Sequence, residues 1–172
     1  GEIEGSEVNI KHYIGEMYFL RANNYLSKLE TFGDFPIIKN TLPDENEPLT
    51  QASKREPRHK VARFILEDLD QTIGLLTNNI SGGKNRITKN AALLLKARAA
   101  LFEASWLTYH RGTALVPGGS GGPGKAEDIA DFNIDTEIAF FLKEAKEAAK
   151  EVIGNAALMQ NTAKDCMDET VK

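Results

Sequence analysis

The sequence is poor in the residues that most often build chemistry. It holds one cysteine, Cys166, in 172 residues, which excludes an internal disulfide and the paired-cysteine spacing of a structural zinc site. Neither sign of charge dominates: 21 Lys and Arg stand against 25 Asp and Glu, a formal net charge of −4. Broad attraction to nucleic acid or to an anionic membrane surface therefore has no basis. Long apolar runs are also missing. The most apolar stretch, Ala91 to Leu95, stops at Lys96, far short of the roughly 20 apolar residues that span a bilayer. The opening Gly1 to Glu7 has neither the basic nor the apolar region of a secretion signal, and no lipid-bearing cysteine. The expectation from this alone is a cytoplasmic protein or a piece of a longer chain.

What is present is 41% hydrophobic residues, enough for one domain with a hydrophobic core. Their spacing predicts an all-α fold of antiparallel helix pairs, since nothing alternates with period two over a useful length. A first helix is predicted over about 10–32, with Ile14, Met17, Tyr18, Tyr25, Leu29 and Phe32 as its buried stripe. Gly33 and Pro36 end it, and a long irregular connection follows. Pro57 suits the first turn of a second helix over about 57–77, with Val61, Ile65, Leu69, Ile73 and Leu76 on one face. Thr88 caps a third helix over about 88–109, so rich in Ala and Leu that it should be surrounded by other helices. The glycine-rich stretch 112–131 is expected to be an exposed loop. A fourth helix, about 135–153, is capped by Asn133 or Asp135 and carries Ile138, Phe141, Leu142, Ala145 and Ala148 on one face. Its apolar side would suit another helix packing after it, as in stacked helical repeats, which marks the chain as a fragment.

Candidate chemistry is sparse. Gly119 to Lys125 spells most of a phosphate-cradling loop, but Ala126 stands where a magnesium-holding hydroxyl belongs and Pro123 removes a donor. A nucleotide hydrolase is thus a remote alternative. Lys54, Arg55, Arg58, His59, Lys60 and Arg63 crowd the start of the second helix, against its dipole, and read as a solvated cluster offset by Asp44, Glu45 and Glu47. Arg21 and Asp68 sit among apolar neighbours and fit a buried structural ion pair. His12 and Glu16, one turn apart, are read as exposed polar residues; two ligands make no metal site, and no metal or other cofactor is expected. Trp106, Tyr109, His110 and Arg111 close the third helix. A flat aromatic beside hydrogen-bonding groups suits a sugar face, although core anchoring is the commoner use of such a tryptophan.

Several segments, in order, resemble the SusD/RagB family of outer-membrane nutrient-binding lipoproteins. These are Phe19-Leu20-Arg21-Ala22 with Phe32-Gly33-Asp34-Phe35-Pro36, then Arg55-Glu56-Pro57 with Phe64 to Leu69, then Arg86-Ile87-Thr88-Lys89, Lys96-Ala97-Arg98 and Trp106 to His110. The resemblance implies a tetratricopeptide-like helical scaffold that is not an enzyme. It implies capture of oligosaccharides or glycopeptides at the bacterial cell surface and their delivery to a SusC-like TonB-dependent outer-membrane receptor. Membrane association would come through a lipid anchor absent from this segment. A tetratricopeptide-like adaptor that binds a peptide in its groove is the alternative.

Overall fold

The computed structural model describes residues 5–78, 85–122 and 129–155. Five helices follow one another: α1 (Glu7–Phe32), α2 (Asn46–Ala52), α3 (Arg58–Leu75), α4 (Lys89–Tyr109) and α5 (Ile134–Asn155). The fold is all-α. Among the described residues the only extended pairing is an isolated antiparallel bridge between Phe35 and Glu56, whose backbone groups exchange hydrogen bonds of 3.2 and 3.1 Å and pinch the two ends of the α1–α3 connection together. No helix among the described residues is long and apolar enough to cross a membrane.

The ion pairs reveal the direction of each packing. Gly15, early in α1, lies against Leu75 and Leu76 at the end of α3, whereas Arg21, one to two turns later, meets Asp68, so α1 and α3 run antiparallel. Arg58 with Glu103 and Lys96 with Asp70 make α3 and α4 antiparallel. Lys89 with Glu151, Lys96 with Glu144 and Arg111 with Asp135 do the same for α4 and α5. The shared core contains Ala22, Leu26 and Leu29 of α1, Val61, Ile65 and Leu69 of α3, Ala100, Ala104 and Leu107 of α4, and Phe141 and Ala145 of α5.

Local rules explain the helix ends. Gly33 adopts a positive φ of +71°, which glycine reaches without a Cβ clash, and donates its N–H to the Leu29 carbonyl. The Thr88 hydroxyl accepts the Ala91 N–H at 3.2 Å. Of the two candidate caps for α5 it is Asn133 that acts, its Oδ1 accepting the Thr136 N–H at 3.0 Å.

Four expectations need correction. The connection after α1 is not wholly irregular, because Asn46–Ala52 forms α2, a single short helix with no buried residue. In α1 the buried residues are His12, Gly15, Ala22, Leu26 and Leu29, while Ile14, Met17 and Phe32 of the predicted stripe are exposed. Close approach decides this: a Cβ on Gly15 would lie 2.9 Å from Leu76 Cδ2, so α3 packs on the face of α1 where Gly15 and Ala22 leave room, with His12, Leu26 and Leu29 buried beside them. Helix α4 is not surrounded, since Leu94 and Leu101 face outward. Nor is the glycine-rich stretch a wholly exposed loop, because Val116 enters the core and Pro117 is buried. One apolar residue among the turns is enough to anchor it. The tail 156–172, including Cys166, lies outside the described residues.

Candidate functional site

The end of α4, the turns after it and the start of α5 enclose an open groove of about 420 Å³. Its walls are Arg111 and Gly112, the segment Val116 to Gly119, and Phe132, Asn133 and Ile134. The glycine turns are compact. Gly119 sits so tightly on Thr113 that a Cβ there would fall 1.7 Å from the Thr113 carbonyl oxygen. The Gly119 N–H donates to Val116 O at 3.1 Å and the Ser120 N–H to Gly112 O at 3.2 Å. These bonds use backbone donors that a phosphate would require. Of the nucleotide-loop residues, Pro123, Gly124, Lys125 and Ala126 lie outside the described residues, and no strand precedes Gly119 among those described.

Trp106 works beneath the groove. Its Nε1–H donates to the Leu115 carbonyl at 3.0 Å, tying the first turn to α4. The Arg58 guanidinium lies 4.3 Å from the indole centroid, and the His110 ring is also 4.3 Å away. Protein groups therefore already use most of the ring surface that a sugar would need. Tyr109 is the opposite case, 86% exposed at the last turn of α4. Arg111 lines the groove and its Nη2–H donates to Asp135 Oδ1 at 2.6 Å. That hydrogen bond, with the guanidinium charge, holds the Asp135 carboxyl below its ordinary range. The four residues singled out at the end of α4 thus divide: Arg111 in the groove wall, Tyr109 on the surface, Trp106 and His110 packed ring to ring at a tilt of 48°.

The basic cluster at the start of α3 is not the solvated group expected from sequence. Arg58 and His59 are buried, and the carboxylates that answer Arg58 and Arg63 come from far along the chain. Arg58 makes a forked contact with Glu103, with distances of 2.7, 3.0 and 3.2 Å. Arg63 grips Glu137 at 2.9 and 2.8 Å, and Lys60 reaches Glu56 at 3.3 Å. Asp34 accepts the backbone N–H of Arg58 at 2.9 Å, and its own burial pushes its carboxyl up. Burial also pushes the Glu103 carboxyl up, in spite of Arg58. Desolvation lowers His59 from its ordinary 6.5 to about 4, and its ring packs 4.7 Å from Phe132 of the groove wall. Sequence reading missed Glu103 and Glu137; a charged residue on the apolar face of α4 or α5 was the available signal.

Elsewhere the structure brings Arg21 and Asp68 together through two hydrogen bonds of 2.7 Å. His12 is fully buried, contrary to the exposed reading, with Glu16 3.6 Å from its Nε2. The reason is that α1 turns the face carrying Gly15 and Ala22 inward. Glu16 instead pairs with Arg86 through two 2.7 Å hydrogen bonds, and that pairing holds its carboxyl low. Among the described residues no three His, Cys, Asp or Glu side chains converge as a metal-holding group.

No protein-family model and no curated protein matches the chain. Solved structures do. A SusD-like protein from Bacteroides fragilis aligns at 28% identity and a TM-score of 0.53 over 59% of this chain. A SusD superfamily protein from the same organism aligns at 20% identity and a TM-score of 0.59 over 95% of it. The segment resembles SusD-like proteins in fold. A third structure, a SusD-like carbohydrate binding protein from B. fragilis, aligns at 20% identity with a TM-score of 0.50. The alignments cover 20 to 30% of those longer chains, so the present helices align with one part of each.

Proposed function

We propose that this SusD-like segment is part of a non-enzymatic protein that captures oligosaccharides or related nutrients at the outer face of the outer membrane. Its partner would be a SusC-like TonB-dependent receptor that takes over the ligand, and its attachment a lipid anchor outside this segment. The observation that carries the reading is the likeness to solved SusD-like structures, one of them described as carbohydrate binding. The groove walled by Arg111 adds to it. Apolar walls at Val116, Pro117, Phe132 and Ile134 lie next to hydrogen-bonding groups at Arg111 and Asn133, and this mixture suits a sugar ring with its apolar faces and polar rim. Neither a nucleotide nor a nucleic acid is part of this reading.

A second reading, a helical scaffold that binds another protein, draws on the outer face of α1. Tyr13, Met17 and Leu20 are all exposed there, at the spacing by which one helix docks on another. A glycan array probed with the full-length protein separates the two. Retention of oligosaccharides, lost on Tyr109→Ala or Arg111→Ala, supports capture in this groove. Full-length protein that retains no glycan even with its receptor supplied removes the capture reading and leaves the scaffold.

A further inference from the structure

The groove carries more information than its shape, because the charge of Arg111, the cation among its described lining residues, is already answered. We propose that the Arg111–Asp135 pair makes this groove selective for uncharged, hydroxyl-rich ligands, namely neutral oligosaccharides, over glycans bearing carboxylate or sulfate groups. The inference rests on the glycan-capture reading and names the ligand class of that site.

An arginine standing alone in a groove recruits anions through a paired set of charge-assisted N–H donors. Here the Arg111 Nη2–H is committed to Asp135 at 2.6 Å, and the two opposite charges nearly cancel at the distance of an incoming ligand. Arg111 retains further N–H donors and Asp135 a second carboxylate oxygen, so donors and acceptors stand side by side. Adjacent sugar hydroxyls, each able to donate and to accept, match that arrangement; a carboxylate or sulfate, which only accepts, meets Asp135 as a like charge.

The surroundings point the same way. Among the described residues Arg111 is the only charged one lining the groove, and the other described walls are Gly112, Val116, Pro117, Gly118, Gly119, Phe132, Asn133 and Ile134. Asp131, next in sequence to the groove residue Phe132, is exposed and adds no positive charge nearby. The start of α5 offers an anion little, because Asn133 already accepts the Thr136 N–H through its side chain and the Glu137 N–H through its carbonyl. Asp135 and Glu137 are the acidic residues of that first turn, and Glu137 is occupied by Arg63.

The test is calorimetric titration of the full-length protein with size-matched oligosaccharides. Neutral probes come from starch, mannan and inulin; acidic probes are oligogalacturonides and heparin-derived fragments. The unmodified protein should prefer its best neutral probe over every acidic one by about tenfold or more, the scale on which like charge suppresses a wrong partner. Asp135→Asn should narrow that preference by strengthening acidic binding, and Arg111→Gln should weaken neutral binding. Both residues are surface-exposed, and unchanged melting temperatures will confirm folded variants. Preference for acidic probes, or a ratio that Asp135→Asn leaves unmoved, overturns the inference while leaving glycan capture intact. Binding of neither class refutes the capture reading itself, and this inference falls with it.

Discussion

Truncating Glu103 tests whether the buried charge at the centre of this fold is as costly to break as its geometry implies. The Glu103 side chain is fully buried and that of Arg58 is 4% exposed, so Glu103→Ala strands a guanidinium where water does not reach it. Its other neighbours include the Trp106 ring at 4.3 Å and the Asp34 carboxylate that accepts the Arg58 backbone N–H; both are present before the substitution as well and offset nothing new. Removing one partner of such a pair costs about 3–5 kcal/mol, and about 4 is expected here. Against a total stability of about 5–15 kcal/mol for a typical domain, that is a large share. Replacing both partners by apolar residues, Arg58→Met with Glu103→Leu, removes the stranded charge together with the pair and should fall within about 1 kcal/mol of the unmodified protein. Urea melts at neutral pH, followed by circular dichroism on the full-length protein, give both numbers. A single variant that loses under about 1 kcal/mol, or a double variant as unstable as the single one, would refute the reasoning.

Four further outcomes are expected. His59 has a folded-state value of about 4 against an ordinary 6.5, so the unfolded chain takes up the proton first. Its stabilising contribution is complete above about pH 6.5 and is lost as pH falls toward 4, about 2 kcal/mol after allowance for partial solvent screening; His59→Phe should flatten that part of the stability–pH curve. Gly15→Ala should cost about 1–3 kcal/mol by overpacking, because the new methyl would lie 2.9 Å from Leu76 Cδ2 and 3.0 Å from Leu75 Cβ; thermal melts will read it. Trp106→Phe keeps an aromatic ring but removes the donor to Leu115 O, so hydrogen exchange at the Val116 and Gly119 amides should accelerate while α3 and α4 keep their protection. Arg21→Met leaves Asp68, its side chain 4% exposed, without its cation and should cost about 2–3 kcal/mol in a denaturant melt.

How much of this was legible in the sequence follows from the range over which each signal acts. Helices α3, α4 and α5 announce themselves by local period and by nearby caps, and the all-α class needs nothing more. The inward face of α1 was misread because ordinary hydrophobic periodicity rewards large residues, whereas the α1–α3 contact is set by the absence of a side chain at Gly15 and a methyl at Ala22. Helix α2 was invisible because it buries nothing and leaves no periodic trace. The carboxylates answering the basic cluster were misplaced for another reason. Proximity along the chain suggested Asp44, Glu45 and Glu47, while Arg58 and Arg63 find partners 45 and 74 residues away. At the groove, the residue types closing α4 were visible, but which of them faces solvent was not. Trp106 carries the most evident sugar-binding chemistry and is stacked against its own protein, leaving Tyr109 and Arg111 outward.

Lys96 deserves a final consequence. Its ammonium lies 2.6 Å from Asp70 of α3 and 2.6 Å from Glu144 of α5, and although burial works against its charge, those two bonds raise its proton affinity overall. Helices that touch only through apolar side chains can creep past one another, since a step of one residue is about 1.5 Å along the axis. Such a step by α4 would pull this ammonium off both carboxylates at once. One side chain therefore indexes three rods like a locating pin, well away from the groove at the other end of α4.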